Sequence, residues 1–238
     1  MSFLQFIYPA RCISCDRVLS AEETEPGICR RCLMEKKAVF AKEPICLKCG
    51  RGLLDETKEL CGSCRKKSHP FVSARAVFFY GGGIKKGMYR FKYGGRRAYG
   101  RTYADLALRR CGRWLKGVEP DFIVPVPMYL KKERERGYNQ AKTLGHALSK
   151  ATGIPYINCL KRVKSTIPLK LLSPEQRKKN IKGAFILGKA DIKYKRILLV
   201  DDIYTTGATV DECTRILLEG GAAAVYVFSV CTGTERKL

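Results

Sequence analysis

Histidine is almost missing from this chain, with His69 and His146 the only two in 238 residues. Neither has an evident nucleophile to serve, which argues against a histidine-activated serine or cysteine mechanism. Long apolar runs are missing too: no window reaches the roughly 18 uninterrupted apolar residues needed to span a bilayer. The opening stretch, Met1–Pro9, has no basic segment ahead of its short apolar run and no plausible cleavage site. We therefore expect it to be a docking segment, and expect the chain to be cytoplasmic without membrane insertion. Low-complexity tracts are absent, and hydrophobic residues make up 45% of the chain, so a folded core is the expectation.

Acidic residues are also scarce. Asp and Glu number 22 against 46 Lys and Arg, giving a net charge of +24. The imbalance is uneven, because residues 1–65 carry 11 basic and 9 acidic side chains while 66–238 carry 35 and 13. The larger part is thus suited to a polyanionic substrate or partner.

Cysteine is plentiful, with 12 in all. Eight form four C-x-x-C pairs: Cys12 and Cys15, Cys29 and Cys32, Cys46 and Cys49, Cys61 and Cys64. Such a pair turns two thiolates toward one cation, and two pairs complete a tetrahedral site that suits Zn²⁺. Two zinc ions per chain are expected, holding a small domain that lacks enough core to fold alone. Disulfides fit poorly without an export signal, and iron–sulfur ligand runs are usually spaced differently. Spacing leaves both a linear and a cross-braced pairing open. Cys111, Cys159, Cys213 and Cys231 sit singly in apolar stretches, as small core residues do. The change of character falls at Arg65–Pro70.

Beyond that point strands and helices alternate. Ala74–Tyr80 reads as a strand halted by Gly81-Gly82-Gly83, and Thr102–Leu115 as an amphipathic helix. Asp121–Pro127 is a short buried strand and Tyr138–Ala151 a helix. Residues 161–182 are basic and turn-rich. Arg196–Val200 is a strand, Ala208–Glu219 a helix closed by Gly220, and Ala223–Val230 another strand. Alternation of this kind predicts an α/β fold with a doubly wound parallel sheet.

The most informative segment runs from Arg196 to Thr209. A buried strand ends in the carboxylates Asp201 and Asp202, and the turn Thr205-Thr206-Gly207 then enters a helix at Ala208. Backbone N–H groups, Thr hydroxyls and the positive helix end suit a phosphate there, and Gly207 lets the backbone approach. The carboxylates lie where open α/β sheets place ligands. They can accept hydrogen bonds from sugar hydroxyls and help hold Mg²⁺ near a pyrophosphate.

This segment resembles the phosphoribosyl pyrophosphate signature of type I phosphoribosyltransferases, with Tyr204 in place of the usual aliphatic residue. Arg134-Glu135-Arg136-Gly137-Tyr138-Asn139-Gln140 resembles the RERGFNQ motif of the ComF family. The run from Arg177 to Phe185 and the amino-terminal cysteine pattern also resemble that family. The resemblance implies a type I phosphoribosyltransferase-like domain over 71–238 and a double zinc ribbon over 1–66. By it, Asp201 and Asp202 would hold the ribose hydroxyls, and Thr205, Thr206, Gly207, Ala208 and Thr209 the phosphate. Arg134, Arg136 and the flexible loop 161–182, Arg177 included, would face the pyrophosphate. Val124-Pro125-Val126-Pro127 resembles the start of a pyrophosphate loop in glutamine amidophosphoribosyltransferases. No glutaminase domain precedes this core, so the acceptor is unspecified.

Residues 85–113 carry ten basic side chains and one acid, interleaved with Tyr89, Phe91, Tyr93, Tyr99 and Tyr103. A basic track with aromatics is how single strands are held without sequence preference, although Tyr103 lies on the apolar helix face. Three functions follow as expectations. The first is a phosphoribosyltransferase using phosphoribosyl pyrophosphate and Mg²⁺. The second is a single-stranded DNA-binding module that retains the pocket, linked by the resemblance to natural competence. The third is a zinc scaffold for other competence proteins.

Overall fold

The structure is a computed structural model and describes residues 9–20, 25–165, 176 and 180–235. Arg177 and most of the expected loop 161–182 lie outside these described residues, as do Met1–Tyr8.

A four-stranded parallel sheet forms the centre, in the order β1, β6, β5, β2. Its strands are β1 (Ala74–Phe79), β2 (Phe122–Pro125), β5 (Arg196–Tyr204) and β6 (Ala224–Thr232). Strand β5 has neighbours on both sides and buries Ile197, Leu198, Leu199 and Val200 in succession. An unbroken aliphatic run of that kind is what a strand covered on both faces requires. Side chains alternate between the faces: Leu198, Val200, Phe228 and Val230 join one hydrophobic cluster. Ile197, Leu199, Val225 and Val227 join the other. Helices α4 (Tyr99–Val118) and α6 (Gln140–Thr152) cover the first face, and α7 (Ala208–Glu219) the second. The expected doubly wound parallel architecture is present.

Two short helices, α1 (Arg30–Met34) and α2 (Gly62–Lys66), belong to the cysteine-rich part. Helix α5 (Leu130–Arg136) follows β2, and β3 (Leu160–Arg162) pairs antiparallel with β4 (Phe185–Leu187). Among the described residues no helix is long and apolar enough to cross a membrane.

Two expectations need correction. The glycine run does follow the end of β1 at Phe79, but it is no loop, because α3 (Gly82–Tyr93) begins inside it. A Cβ on Gly83 would sit 1.9 Å from Ser14 Oγ, and one on Gly87 would sit 1.9 Å from the Ile13 carbonyl oxygen. These glycines admit the first cysteine unit onto the helix. Strand β5 also runs past Val200, so Asp201 and Asp202 are ladder residues, with Asp201 opposite Ser229 and Ile203 opposite Cys231.

The cysteine-rich part shares the core of the larger one. Ile13, Ile28 and three of the first four cysteines are buried in the same cluster as α3 and α4. Tyr99 Oη donates to Asp16 Oδ1 at 2.5 Å and to the Cys12 carbonyl at 3.2 Å. Arg96 pairs with Asp16 at 2.7 Å, and Arg90 donates to the Ser14 carbonyl at 3.1 Å. Part of the basic stretch 85–113 is therefore turned inward to hold the first cysteine unit. The second unit meets the carboxyl-terminal segment, with Glu235 N–H donating to the Gly52 carbonyl at 2.9 Å and Gly62 N–H to Glu235 Oε1 at 3.0 Å.

Candidate functional site

The eight paired cysteines gather into two groups of four. Cys12, Cys15, Cys29 and Cys32 form one and Cys46, Cys49, Cys61 and Cys64 the other, with all sulfurs of a group within 4.8 Å of one another. Cys15 and Cys29 sulfurs lie 3.8 Å apart, and those of Cys49 and Cys61 3.7 Å. A tetrahedron with Zn–S bonds of about 2.3 Å has edges of about 3.8 Å, so both groups fit a zinc ion. The pairing is linear, which spacing had left open.

The second site lies at the carboxyl edge of the sheet. A cavity of about 390 Å³ opens there, lined by both aspartates, by Thr205 through Thr209, and by Arg136. Of the residues expected from the sequence, Asp201, Asp202, Thr205, Thr206, Gly207, Ala208, Thr209 and Arg136 thus come together. Arg134, on the same helix as Arg136, is exposed and stands outside that lining.

The two carboxylates are not equivalent. Asp202 is paired with Lys92 of α3, at 2.9 Å from Oδ2 and 3.0 Å from Oδ1. Burial opposes the Lys92 ammonium, but the Asp202 charge outweighs it and raises the lysine's pKa. Asp201 forms no comparable ion pair with Lys92, and its Oδ1 accepts the Asp202 backbone N–H at 2.8 Å. Burial, aided by the neighbouring Asp202 charge, pushes the Asp201 carboxyl up to about 7.

The turn that follows is built for an anion. Gly207, at the N-cap of α7, has φ of 78°, in the region that favours glycine. A Cβ there would fall 2.5 Å from the Tyr204 hydroxyl. Thr206 Oγ1 is buried and has no hydrogen-bond partner among the described residues. Such an orphan hydroxyl is costly unless a ligand completes it. With the amino-terminal end of α7 behind it, the turn suits a phosphate.

Further cations share the lining. Arg136 is held by Gln140 Oε1 at 2.9 Å and by Tyr93 Oη at 3.1 Å, its guanidinium 4.6 Å from the Tyr93 ring centroid. Lys132 and Arg162 join it in the lining. Burial lowers the pKa of Lys132, and the nearby Arg162 and Arg136 lower it further. Crowded positive charges sharing one cavity with a buried acid pair give it a bipolar lining, cations that suit phosphates and carboxylates that suit hydroxyls.

The Arg134–Gln140 motif is now accounted for residue by residue. Asn139 caps α6, accepting Ala141 N–H at 2.9 Å, and donates to the Val126 carbonyl at 3.1 Å. That bond ties the loop after β2 to the helix. Gln140 positions Arg136, and Tyr138 Oη donates to the Phe91 carbonyl. Tyr204, the departure from the usual signature, packs edge-on against Phe71 at 6.1 Å and His69 at 6.4 Å. Sequence reasoning missed Lys92 and Lys132, which were indistinguishable from other basic residues of their stretches, while Arg162 belongs to the loop 161–182 expected to face the pyrophosphate. It also undervalued His69, a buried side chain 2.7 Å from Asp211.

A family model for the double zinc ribbon domain matches residues 3–69. The chain is 33% identical over 236 residues to competence protein F of Haemophilus influenzae, covering 97% of this chain and 98% of that one. It is 30% identical over 214 residues to the DNA utilization protein YhgH of Escherichia coli, covering 86% and 90%. It is 27% identical to competence protein ComFC of Bacillus subtilis, covering 92% of each. Among solved structures it is similar to a purine phosphoribosyltransferase from Pyrococcus horikoshii, at 14% identity and a TM-score of 0.36, covering 57% of this chain and 90% of that one.

Proposed function

The chain belongs to the family of competence protein F and ComFC, and we propose that it binds phosphoribosyl pyrophosphate with Mg²⁺ and transfers the phosphoribosyl group to an acceptor. The observation that carries this reading is the cavity lining, which gathers an acid pair and an orphan hydroxyl with the cations Lys132, Arg136 and Arg162. Residues 71–238 would form the transferase part and residues 1–66 the metal-binding part.

In the reaction the C1–O bond to pyrophosphate breaks, the pyrophosphate leaves with the electron pair, and a bond from the acceptor to C1 forms. Asp201 and Asp202 accept from the ribose hydroxyls and offset positive charge building on the ring. Thr206 and the backbone N–H groups at the start of α7 hold the sugar phosphate. Arg136, Lys132 and Arg162 take up charge on the departing pyrophosphate. Mg²⁺ arriving with the pyrophosphate supplies further charge neutralisation, and the carboxylates offer it oxygen ligands.

The relatives named for competence and DNA utilization support a role, in this proposal, in cytoplasmic handling of DNA during natural transformation. Single-stranded DNA and other competence proteins would be its partners. A second reading, a binding module that keeps the pocket, draws on Tyr89 and Tyr93, both exposed with ring centroids 5.1 Å apart. Calorimetric titration with phosphoribosyl pyrophosphate and Mg²⁺ tests the pocket. Asp201→Asn combined with Asp202→Asn should abolish the binding heat while the fold persists, and equal affinity in the double variant would remove the pocket from the account. A screen for acceptor-dependent pyrophosphate release then separates the two readings.

A further inference from the structure

The phosphate turn is held from outside by the second cysteine unit, at both of its ends. The turn carrying Cys46 and Cys49 closes on itself, with Cys46 N–H donating to the Arg51 carbonyl at 2.7 Å and Gly50 N–H to the Cys46 carbonyl at 2.8 Å. Arg51 leaves directly from this metal-binding turn. Its Nη2 donates to the carbonyl of Thr205, the first residue of the phosphate turn, at 2.8 Å.

The other half of the cysteine unit reaches the far end of the turn. Helix α2 carries Cys64 and is entered from Cys61, and at its end Lys67 N–H donates to the Ser63 carbonyl at 3.0 Å. The Lys67 ammonium pairs with Asp211. His69 Nδ1 lies 2.7 Å from the other Asp211 oxygen, its ring stacked on Phe71 at 5.1 Å. Asp211 in turn gives its backbone N–H to the Gly207 carbonyl at 2.7 Å. One arm therefore grips the turn at Thr205 and the other holds the Asp211 side chain in the first turn of α7, whose first backbone bond returns to Gly207, and the arms come from the two halves of one four-cysteine site.

We infer that the second cysteine site positions the phosphate turn through two struts, Arg51 to Thr205 and Lys67 with His69 to Asp211, so that zinc and a phosphorylated ligand bind with positive linkage. Four thiols have a common partner only when the ion is present, and a site of this kind draws its folding energy from the metal. Without the ion the two turns lose their fixed separation, and the grip on Thr205 and Asp211 goes with it. Linkage is reciprocal: the factor by which zinc tightens ligand binding is the factor by which ligand tightens zinc binding. Coupling between sites is commonly about 5–150-fold. Arg51 acts through the Thr205 carbonyl and is a positioning residue.

The inference rests on the pocket being a phosphate site, and the test keeps the two claims apart. The full zinc-loaded chain is compared with Arg51→Ala, Arg51→Lys and Asp211→Asn. Each variant should retain two zinc ions by elemental analysis. Amide exchange over residues 203–211 should quicken in Arg51→Ala and Asp211→Asn, and Arg51→Lys should restore part of the protection. The dissociation constant for phosphoribosyl pyrophosphate with Mg²⁺ should rise about tenfold in Arg51→Ala, within the range usual for coupling between sites. Saturating ligand should slow zinc release from the second site to a chelator in the unmodified chain, and less so in Arg51→Ala. Unchanged amide exchange over 203–211 in both variants overturns the strut, as does zinc release indifferent to bound ligand. An unmodified chain that binds no phosphoribosyl pyrophosphate defeats the proposed transferase reading, and the exchange comparison still decides the strut.

Discussion

Asp201 and Asp202 are adjacent in sequence and chemically unlike in the fold. The difference is Lys92 of α3, which pairs with Asp202 on strand β5, while burial raises Asp201. A carboxyl raised to about 7 favours its protonated form in the folded protein. Below its ordinary value near 3.8 both folded and unfolded chains bind the proton, and nothing is lost. Between that value and about 7 the folded chain keeps a proton that the unfolded chain releases, so stability falls as pH rises across that window. Asp201→Asn should therefore raise the melting temperature of the ligand-free protein at pH values above about 7 and leave it nearly unchanged near pH 4. Each kcal/mol relieved corresponds to about 2–4 °C for a chain of this size. Thermal scans across the pH range measure it, and an equal shift at both ends would refute the burial account. Thr206→Val offers a companion test. The Thr206 hydroxyl has no partner among the described residues, so the isosteric change should leave stability unchanged or higher. Affinity for phosphoribosyl pyrophosphate should drop about tenfold, since a hydrogen bond to a charged phosphate is commonly worth about 1.5–3 kcal/mol. Calorimetry with the ligand, beside a thermal scan, reads both effects.

Among the elements, α3 is the one whose residues mislead. Three glycines at its start read as a break, yet Gly83 and Gly87 are where the first cysteine unit approaches the helix backbone. In an exposed helix a change from glycine to alanine is worth about 1 kcal/mol of added stability. Gly87→Ala should do the opposite, because its Cβ would meet the Ile13 carbonyl oxygen at 1.9 Å and backbone would have to move. Overpacking of this kind costs about 1–3 kcal/mol. Gly112 in α4 is the control: nothing lies within 4 Å of its added Cβ, so Gly112→Ala should be stabilising. Thermal scans of the two variants should shift in opposite directions. A stable Gly87→Ala would mean that the first cysteine unit does not sit against α3.

For the whole molecule, the two cysteine units and the α/β part form one packed body. Elemental analysis should find two zinc ions per chain, and Cys46→Ser should leave one and loosen the second unit, because bound metal supplies its folding energy. The charge distribution has also changed its meaning. Of the basic stretch 85–113, Arg90, Arg96 and Lys92 are committed to Ser14, Asp16 and Asp202, while Lys85, Lys86 and Arg101 are exposed. If single-stranded DNA lies along α3, removing Lys85 and Lys86 together should flatten the slope of log affinity against log salt by about 1.4, at about 0.7 per phosphate contact. Fluorescence anisotropy across a salt series measures it, and an unchanged slope would place any strand elsewhere.

Local chemistry was enough for several features. The four C-x-x-C pairs named the metal and its ligands, because a tight turn presents two thiolates whatever surrounds it. The run from Arg196 to Thr209 pointed to the strand, turn and helix start proposed to take a phosphate, because a buried strand, a glycine and a helix start act together over fourteen neighbouring residues. The alternation of strands and helices likewise yielded the parallel sheet. Long-range contact decided the remainder. Which cysteine pairs share an ion, which aspartate keeps a counter-charge, and which basic residues face a ligand depend on groups far apart in sequence. Arg51 and Thr205, separated by 154 positions, meet at 2.8 Å, and no periodicity or spacing encodes such a bond. Gly83 and Gly87 make the same point, since a glycine required by close packing and a glycine that ends a helix are one letter in the sequence. Only the surface that arrives against them tells the two apart.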